Sequence, residues 1–372
     1  VSEDGSSDPP PRDLPEDRPS RRKVPEDRPS RRNVRERRSG LSRANKRRLA
    51  FYPTLLVFGV SGLFYCTCMP GKSYVGPVAG TPEEERLAKE LEADVVALAG
   101  TIGARNVELE GTLQRAEKQV TARFTELGYA PQRLGYDIGI RNVANLEVSI
   151  PGGARQKEIV VIGAHYDSAY DAPGADDNAS GVAGLFALAK AFAKTKPERT
   201  LRFVAFVNEE PPRFWTEKMG SLVYAKACRA RDEDIVGMLS LETIGYFRTE
   251  AGTQKYPPPL SFFYPDRADF IGFVGNTSSR SLTRNVLQVF RGAVDMPSEG
   301  AALPAFIAGV GWSDQWSFWQ AGYPGVMVTD TAPFRNPNYH KVTDTPATLD
   351  YVRLARVVRG LEAVVRSLAV VP

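Results

Sequence analysis

Apolar residues fall along this chain in three regimes. Up to position 48 they are sparse and scattered among prolines and charges. From Leu49 to Gly71 they dominate a run that holds no charged residue. Beyond about position 83 they recur at helical spacing, as Leu87, Leu91, Val95, Val96 and Leu98, or gather into runs of strand length such as Ile159-Val160-Val161-Ile162. The first pattern gives one apolar helix face, and the second suits a strand covered on both faces.

This reading predicts helices over 83–99, 113–127, 180–193, 221–230 and 314–319. It predicts strands over 144–149, 158–164, 201–207, 236–241 and 325–329. Alternating strands and helices, with strands apolar throughout, indicate a three-layer α/β/α sandwich around a mostly parallel, mixed central sheet. No boundary is visible after about residue 80, so 81–372 reads as one domain, preceded by a Gly- and Pro-bearing linker at 72–80.

The uncharged run at 49–71 changes the picture at the amino end. As a helix, 49–69 would be about 31 Å long, enough to cross a bilayer core. Arg43, Lys46, Arg47 and Arg48 precede it and only Lys72 follows. The positive-inside rule then puts the tail in the cytoplasm and the domain outside. The expectation is a single transmembrane anchor with the domain extracytoplasmic, periplasmic in a two-membrane bacterium. Pro53, Gly59 and Gly62 weaken that reading, and a signal segment with secretion is its rival. A lipid-modified Cys66 is disfavoured by the bulky Tyr65 before it, and a core helix by the flanking charge step.

Residues 1–48 carry fifteen Lys or Arg against nine Asp or Glu, a net of +6, and repeat Pro15-Glu-Asp-Arg-Pro-Ser-Arg-Arg22 at positions 25–32. Such a tract has nothing to bury and is expected to be a disordered basic tail. The other residues net −2, which excludes nucleic acid as a partner of the folded part. The three cysteines, Cys66, Cys68 and Cys228, suggest no disulfide framework. Oligomeric state has no sequence signature.

The candidate chemistry lies at strand ends, where ligands collect in such sheets. The strand at 158–164 runs into His165-Tyr166-Asp167-Ser168, the strand at 201–207 into Asn208-Glu209-Glu210, and the strand at 236–241 into Glu242. Gly174-Ala175-Asp176-Asp177-Asn178 opens a helix, and the last strand leads through Asp330 to His340. Two histidines among several carboxylates suit zinc and other borderline first-row metals. A lone histidine is more often structural, yet both histidines of the chain fall in these strings. Asp176 reads instead as a loop or cap residue, and Glu217 and Glu250 as solvated. Trp312, Trp316 and Trp319 read as core or pocket wall, because a base-stacking platform would need basic neighbours.

From about Thr81 to its end the chain resembles the di-zinc aminopeptidases of metallopeptidase family 28, clan MH. The strings that carry the resemblance are Gly163-Ala-His-Tyr-Asp167, Gly174-Ala-Asp-Asp-Asn-Ala-Ser-Gly181, Asn208-Glu-Glu210, Met219-Gly-Ser221, Asn336-Pro-Asn-Tyr-His340 and Asp344-Thr-Pro346. The resemblance implies two zinc ions bridged by Asp177, with His165 and Glu242 completing one site and Glu210 and His340 the other. Glu242 stands where the family allows Asp or Glu, which leaves monodentate and bidentate binding open. It implies Glu209 as general base, Asp167 as the carboxylate that orients the His165 ring, and a cis peptide between Asp177 and Asn178. Gln315 departs from a His that the family often has there, and is expected to tune the pocket without loss of zinc.

The implied activity is removal of N-terminal residues from peptide substrates by a two-zinc-activated water. The alternatives are another hydrolase or a glutaminyl cyclase-like enzyme of the clan, and a non-catalytic membrane-anchored binding domain. The complete ligand set favours the two-metal hydrolases over the cyclase-like enzymes, which the resemblance gives a single zinc, and over the binding domain, which would lack ligands. Selectivity is expected in parts of 245–259 and 263–276.

Overall fold

The computed structural model describes residues 51–52 and 59–370. Its strands are β1 (Gln132–Ile138), β2 (Arg141–Ile150), β3 (Arg155–His165), β4 (Arg199–Phe206), β5 (Asp234–Glu242), β6 (Ile271–Asn276), β7 (Ser298–Leu303) and β8 (Gly325–Thr329). They form one sheet in the order β1-β2-β4-β3-β5-β8-β6-β7. The central β4, β3, β5 and β8 are mutually parallel, and antiparallel pairs β2–β4 and β6–β8 flank them. Four carboxyl ends therefore meet at one edge, and that edge carries the site.

Alternation along β3 sorts its side chains between two layers. Val160, Ile162 and Ala164 join a core that includes residues of helices Pro82–Val95, Gly181–Phe192, Arg280–Ala293 and Tyr351–Ala369. Ile159 and Val161 join a second cluster with Tyr224, Ala225 and Cys228 of helix Gly220–Ala230 and Phe318 of helix Gln315–Gln320. A central strand with both faces covered must be apolar throughout, so the sandwich expected from the alternation is the architecture found.

The helix Pro82–Val95 begins at a capping box. Thr81 accepts the N–H of Glu84, whose carboxylate accepts the N–H of Thr81. Together the two bonds satisfy amides that a helix start leaves open.

The transmembrane anchor expected at 49–71 is corrected. Among the described residues no helix is long and apolar enough to cross a membrane. Positions 49–50 and 53–58 of that run lie outside the described residues, as does the whole tail at 1–48. The helical segment at 59–67 docks on the domain. Leu63 and Cys66 pack with Leu260, Ala301, Leu303 and Val310. The Arg280 guanidinium lies 3.8 Å over the Tyr65 ring and donates to the Tyr65 carbonyl. Arg284 donates to the Cys68 carbonyl, and Arg291 to that of Pro70. Leu63 and Cys66 are thus turned onto protein, whereas Val60 and Phe64 of the same segment stay exposed. The membrane as partner and the extracytoplasmic localisation drawn from the anchor fall with it.

Candidate metal centre

His165 is the last residue of β3 and Glu242 the last of β5. Glu209 and Glu210 follow the end of β4, and Asn208 before them has a left-handed backbone, φ 59. That turn out of the strand lets two adjacent side chains serve one site, whereas on a continuing strand they would point to opposite faces. His340 lies in the loop beyond β8, also with positive φ.

Asp177 sits in the irregular turn Ala175–Ser180 ahead of helix Gly181–Phe192, and its peptide bond to Asn178 is cis. Several polar groups lock this turn. Asn178 donates from Nδ2 to the Leu241 carbonyl and accepts the N–H groups of Gly181 and Thr243 at Oδ1. A Cβ on Gly181 would lie 2.3 Å from Asn178 Oδ1 and 2.5 Å from the Leu241 carbonyl oxygen, so only glycine fits. The Asp344 carboxylate accepts the N–H groups of Asp176 and Asp177. The fully buried Arg105 donates to the carbonyls of Tyr166, Pro173 and Gly174. It thereby ties the loop after His165 to the loop before Asp177.

The two oxygens of Asp177 face two histidines. Oδ1 is 3.4 Å from His165 Nε2 and Oδ2 is 3.1 Å from His340 Nε2. Glu242 Oε2 is 3.2 Å from His165 Nε2, and Glu210 Oε2 is 3.2 Å from His340 Nε2. Donor atoms of His165, Asp177 and Glu242, and those of Asp177, Glu210 and His340, each lie within 4.8 Å of one another. A third triad of His165, Glu209 and Glu210 meets the same limit. Glu209 stands further back in it, with Oε2 3.8 Å from His165 Nε2.

The donor chemistry fits metal ions. Both ring nitrogens of His165, Asp177 Oδ2, Glu210 Oε1 and His340 Nε2 are buried without a hydrogen-bond partner. Unpartnered buried polar atoms are costly and rare, and here they converge on two points. The charges agree. Against the opposing effect of burial, Asp177 and Glu210 lift the His340 imidazole up to about 11. Glu209 and Glu242 similarly outweigh burial at His165 and hold it well above its usual range. Burial and the neighbouring Asp177 push Glu210 up to about 8. Burial raises Glu209 well above the carboxylate range, with His165 pulling it down and Glu242 pushing it up. So many crowded carboxylates need positive charge among them, and divalent cations supply it without protons.

The candidate ligands His165, Asp177, Glu210, Glu242 and His340 and the candidate base Glu209 thus lie together at this edge, with Asp167 just behind Glu209 and Glu210. Ser313 and Arg105 were not singled out. Ser313 Oγ donates to Glu242 Oε2 at 2.6 Å, and neither residue has a distinctive neighbourhood in the chain to mark it. Asp176, read as a loop or cap residue, is fully buried and accepts from Gly245 N–H and Asn336 Nδ2. Gln315 donates to the Val310 carbonyl and lies 3.6 Å from Met327 Sδ. It thus braces two residues of a cavity beside the centre.

Known proteins resemble the chain in sequence and in fold. The family model of Peptidase family M28 matches residues 145–365. The uncharacterized protein YfbL of Escherichia coli (strain K12) is 35% identical over 297 residues, which covers 77% of this chain and 90% of that protein. A probable zinc metalloprotease of Pyrenophora teres f. teres (strain 0-1) is 28% identical over 247 residues, 62% of this chain and 50% of its own length. The chain thus spans half of that fungal relative. Among solved structures, LapB from Legionella pneumophila superposes with a TM-score of 0.60 at 18% identity, covering 82% of this chain and 78% of that one. BSAP, a zinc aminopeptidase from Bacillus subtilis, gives 0.59 at 13%, covering 76% and 95%. The Fimbriiglobus ruber glutaminyl cyclase gives 0.55 at 18%, covering 80% and 99%. At these identities the structural likeness is one of fold.

Proposed function

Because the chain belongs to peptidase family M28, a family of zinc metallopeptidases, we propose that it is an exopeptidase that cleaves residues from the free amino end of peptides with two zinc ions. The observation that carries the reading is Asp177, whose two oxygens face two separate histidine-carboxylate pairs. His165 and Glu242 would hold one ion, Glu210 and His340 the other, and Asp177 both. When bound, the pair supplies Lewis acidity to an attacking water and to the scissile carbonyl.

Glu209 takes the remaining role. It lies at the cluster but behind the ligand positions, where a carboxylate that is not a ligand can accept a proton. It takes the proton of the attacking water and returns it to the leaving amine. The surplus of carboxylates favours a substrate that brings its own cation, which a free N-terminal ammonium does and an internal peptide bond does not.

The test is elemental analysis of the full chain combined with release of a chromogenic amine from aminoacyl substrates, before and after chelation. About two zinc ions per chain and chelator-sensitive release support the proposal. Bound metal without release from any aminoacyl substrate overturns the aminopeptidase assignment, and a metal-free protein overturns the mechanism.

A further inference from the structure

Beside the metal centre lies an apolar cavity that the hydrolytic chemistry leaves unused. Glu242 and Tyr339, whose ring stacks on His340 at 3.9 Å between centroids, line it on the side of the metal centre. Its floor is the sheet. Glu242 pairs with Thr329, Thr329 with Gly272, and Gly272 with Glu299. One row therefore crosses β5, β8, β6 and β7, from a candidate metal ligand to a second carboxylate. Paired residues face the same side of a sheet, and every second residue along each strand joins them. Met327, Val274, Ala301 and Leu303 accordingly line the same cavity. Three strand spacings put the two glutamate backbones roughly 14 Å apart. Next to Glu299 in this row, Gly272 keeps the floor low: an added Cβ there would stand 3.2 Å from the Thr329 carbonyl oxygen.

Glu299 is out of character with this lining. Its side chain is 23% exposed, and the nearest guanidinium nitrogen, Arg291 Nη2, is 3.7 Å from Oε2, beyond hydrogen-bonding distance. Arg291 donates elsewhere, to the Ser298 carbonyl and hydroxyl and to the Pro70 carbonyl. Burial raises the Glu299 carboxyl above its usual range, while Arg291 and the nearby Ser73 act in the opposite direction. An apolar cavity lined on one side by a carboxylate whose ion pair with Arg291 is long matches one type of side chain, an aliphatic stem with a cationic head.

We propose that this cavity receives the N-terminal side chain of the substrate, that it selects lysyl and arginyl termini, and that Glu299 is the residue that reads their charge. The inference rests on the exopeptidase reading and deepens it. The stem lies over Gly272 and Val274, and the head meets Glu299 at the far end. A leucyl side chain fills only the near part and gives the Glu299 carboxylate no partner, so it forgoes the charge-assisted bond.

The experiment compares kcat/KM for arginyl, lysyl, leucyl and glutamyl p-nitroanilides with the zinc-loaded full chain, for wild type and for E299Q and E299L. Binding of argininamide and leucinamide is followed calorimetrically, and melting temperatures report folding. The expected result is a wild-type preference for arginyl and lysyl substrates. The arginyl-to-leucyl ratio falls at least about tenfold in both variants, as loss of a charged hydrogen bond implies, and the amide affinities shift in the same sense. Hydrolysis with no basic preference, or a ratio unmoved in folded E299Q and E299L, overturns the role of Glu299 and leaves the exopeptidase reading standing. No hydrolysis of any substrate by wild type overturns both.

Discussion

The Glu209 backbone N–H donates to Asp167 Oδ1 at 3.2 Å, and the next amide, that of Glu210, donates to Oδ2 of the same carboxylate at 3.1 Å. One side chain two residues past His165 thus fixes the two residues after β4 that bring the proposed base and a proposed ligand. Asp167 Oδ1 lies 3.6 Å from His165 Nδ1, so the hydrogen bonds of this carboxylate go to the backbone of the Glu209–Glu210 turn. Its leverage on the site runs through Glu209 at least as much as through the imidazole.

Asp167→Asn therefore perturbs the position of the base. The amide has one oxygen where the turn offers two N–H donors, and its own NH2 must face one of them. We expect kcat to fall about 10- to 100-fold, as for other groups that orient metal-site residues, with zinc content retained. Steady-state kinetics with elemental analysis on one preparation checks this. An unchanged kcat would remove Asp167 from the machinery.

Glu209→Gln keeps shape and removes the proton acceptor. Zinc content should be unchanged and kcat should drop by about 100- to 10,000-fold, the range associated with general-base catalysis. If zinc is lost together with activity, Glu209 is a ligand, as its presence in one of the three clustered triads would allow.

Arg105 has a different kind of importance. Its guanidinium is fully buried, and its donors go to backbone carbonyls of the loops that carry Asp167 and Asp177. Arg105→Met would strand those carbonyls and remove a cation lying near Asp167, Asp344 and Asp177. A loss of about 3 kcal/mol is expected in denaturant unfolding. Arg105→Lys should rescue little of it, because an ammonium cannot reproduce a planar fork that reaches several carbonyls.

Much of the site is readable in the chain because it sits at strand ends that announce themselves. β3 and β5 are apolar runs that stop at a single histidine and a single glutamate, and the only two histidines both fall in the motif strings. β6 and β7 are hidden by glycines with a packing role. An added Cβ on Gly275 would lie 2.1 Å from Thr283 Oγ1, and one on Gly300 2.6 Å from Leu287 Cδ2. Close approach of helix to sheet thus breaks the apolar runs that would have marked those strands. Helix Tyr351–Ala369 carries a clear period in Leu354, Val357, Val358, Leu361, Val364 and Val365, although it is not among the predicted elements. The anchor fails for the converse reason. Hydropathy registers that Leu63 and Cys66 avoid water, but not that the face of Leu260 and Leu303 is what they meet.

Chelation and reloading test the charge argument without catalysis. Ions that fill the converging unpartnered atoms stabilise the native chain by mass action, about 2.7 kcal/mol at a hundredfold excess over Kd. For a domain of this size that raises the melting temperature by roughly 5 °C or more. Calorimetric melts of chelated and zinc-reloaded protein should differ by at least this much, and the difference should collapse in Asp177→Asn. Equal melts would mean that the buried acids are compensated by protons alone.

The ion pair of Glu84 and Arg356 predicts how the fold responds to acid far from the metal. Both oxygens of Glu84 accept from Arg356, at 2.8 and 2.6 Å, and both side chains are less than 10% exposed. They join the capped start of helix Pro82–Val95 to helix Tyr351–Ala369. The Arg356 guanidinium, aided by the Thr81 amide against burial, holds the Glu84 carboxyl down to about 2 from 4.5. The folded pKa lies below the unfolded one, so this contribution is fully present above pH 4.5 and is lost as pH falls through that value toward 2. Glu84→Gln should therefore cost about 2 kcal/mol at pH 7, and the gap to wild type should narrow steadily below pH 4.5. Urea unfolding of both proteins across that range checks it. A gap that stays constant from pH 7 to pH 3 would show that Glu84 contributes by packing and capping alone, with no share from its charge.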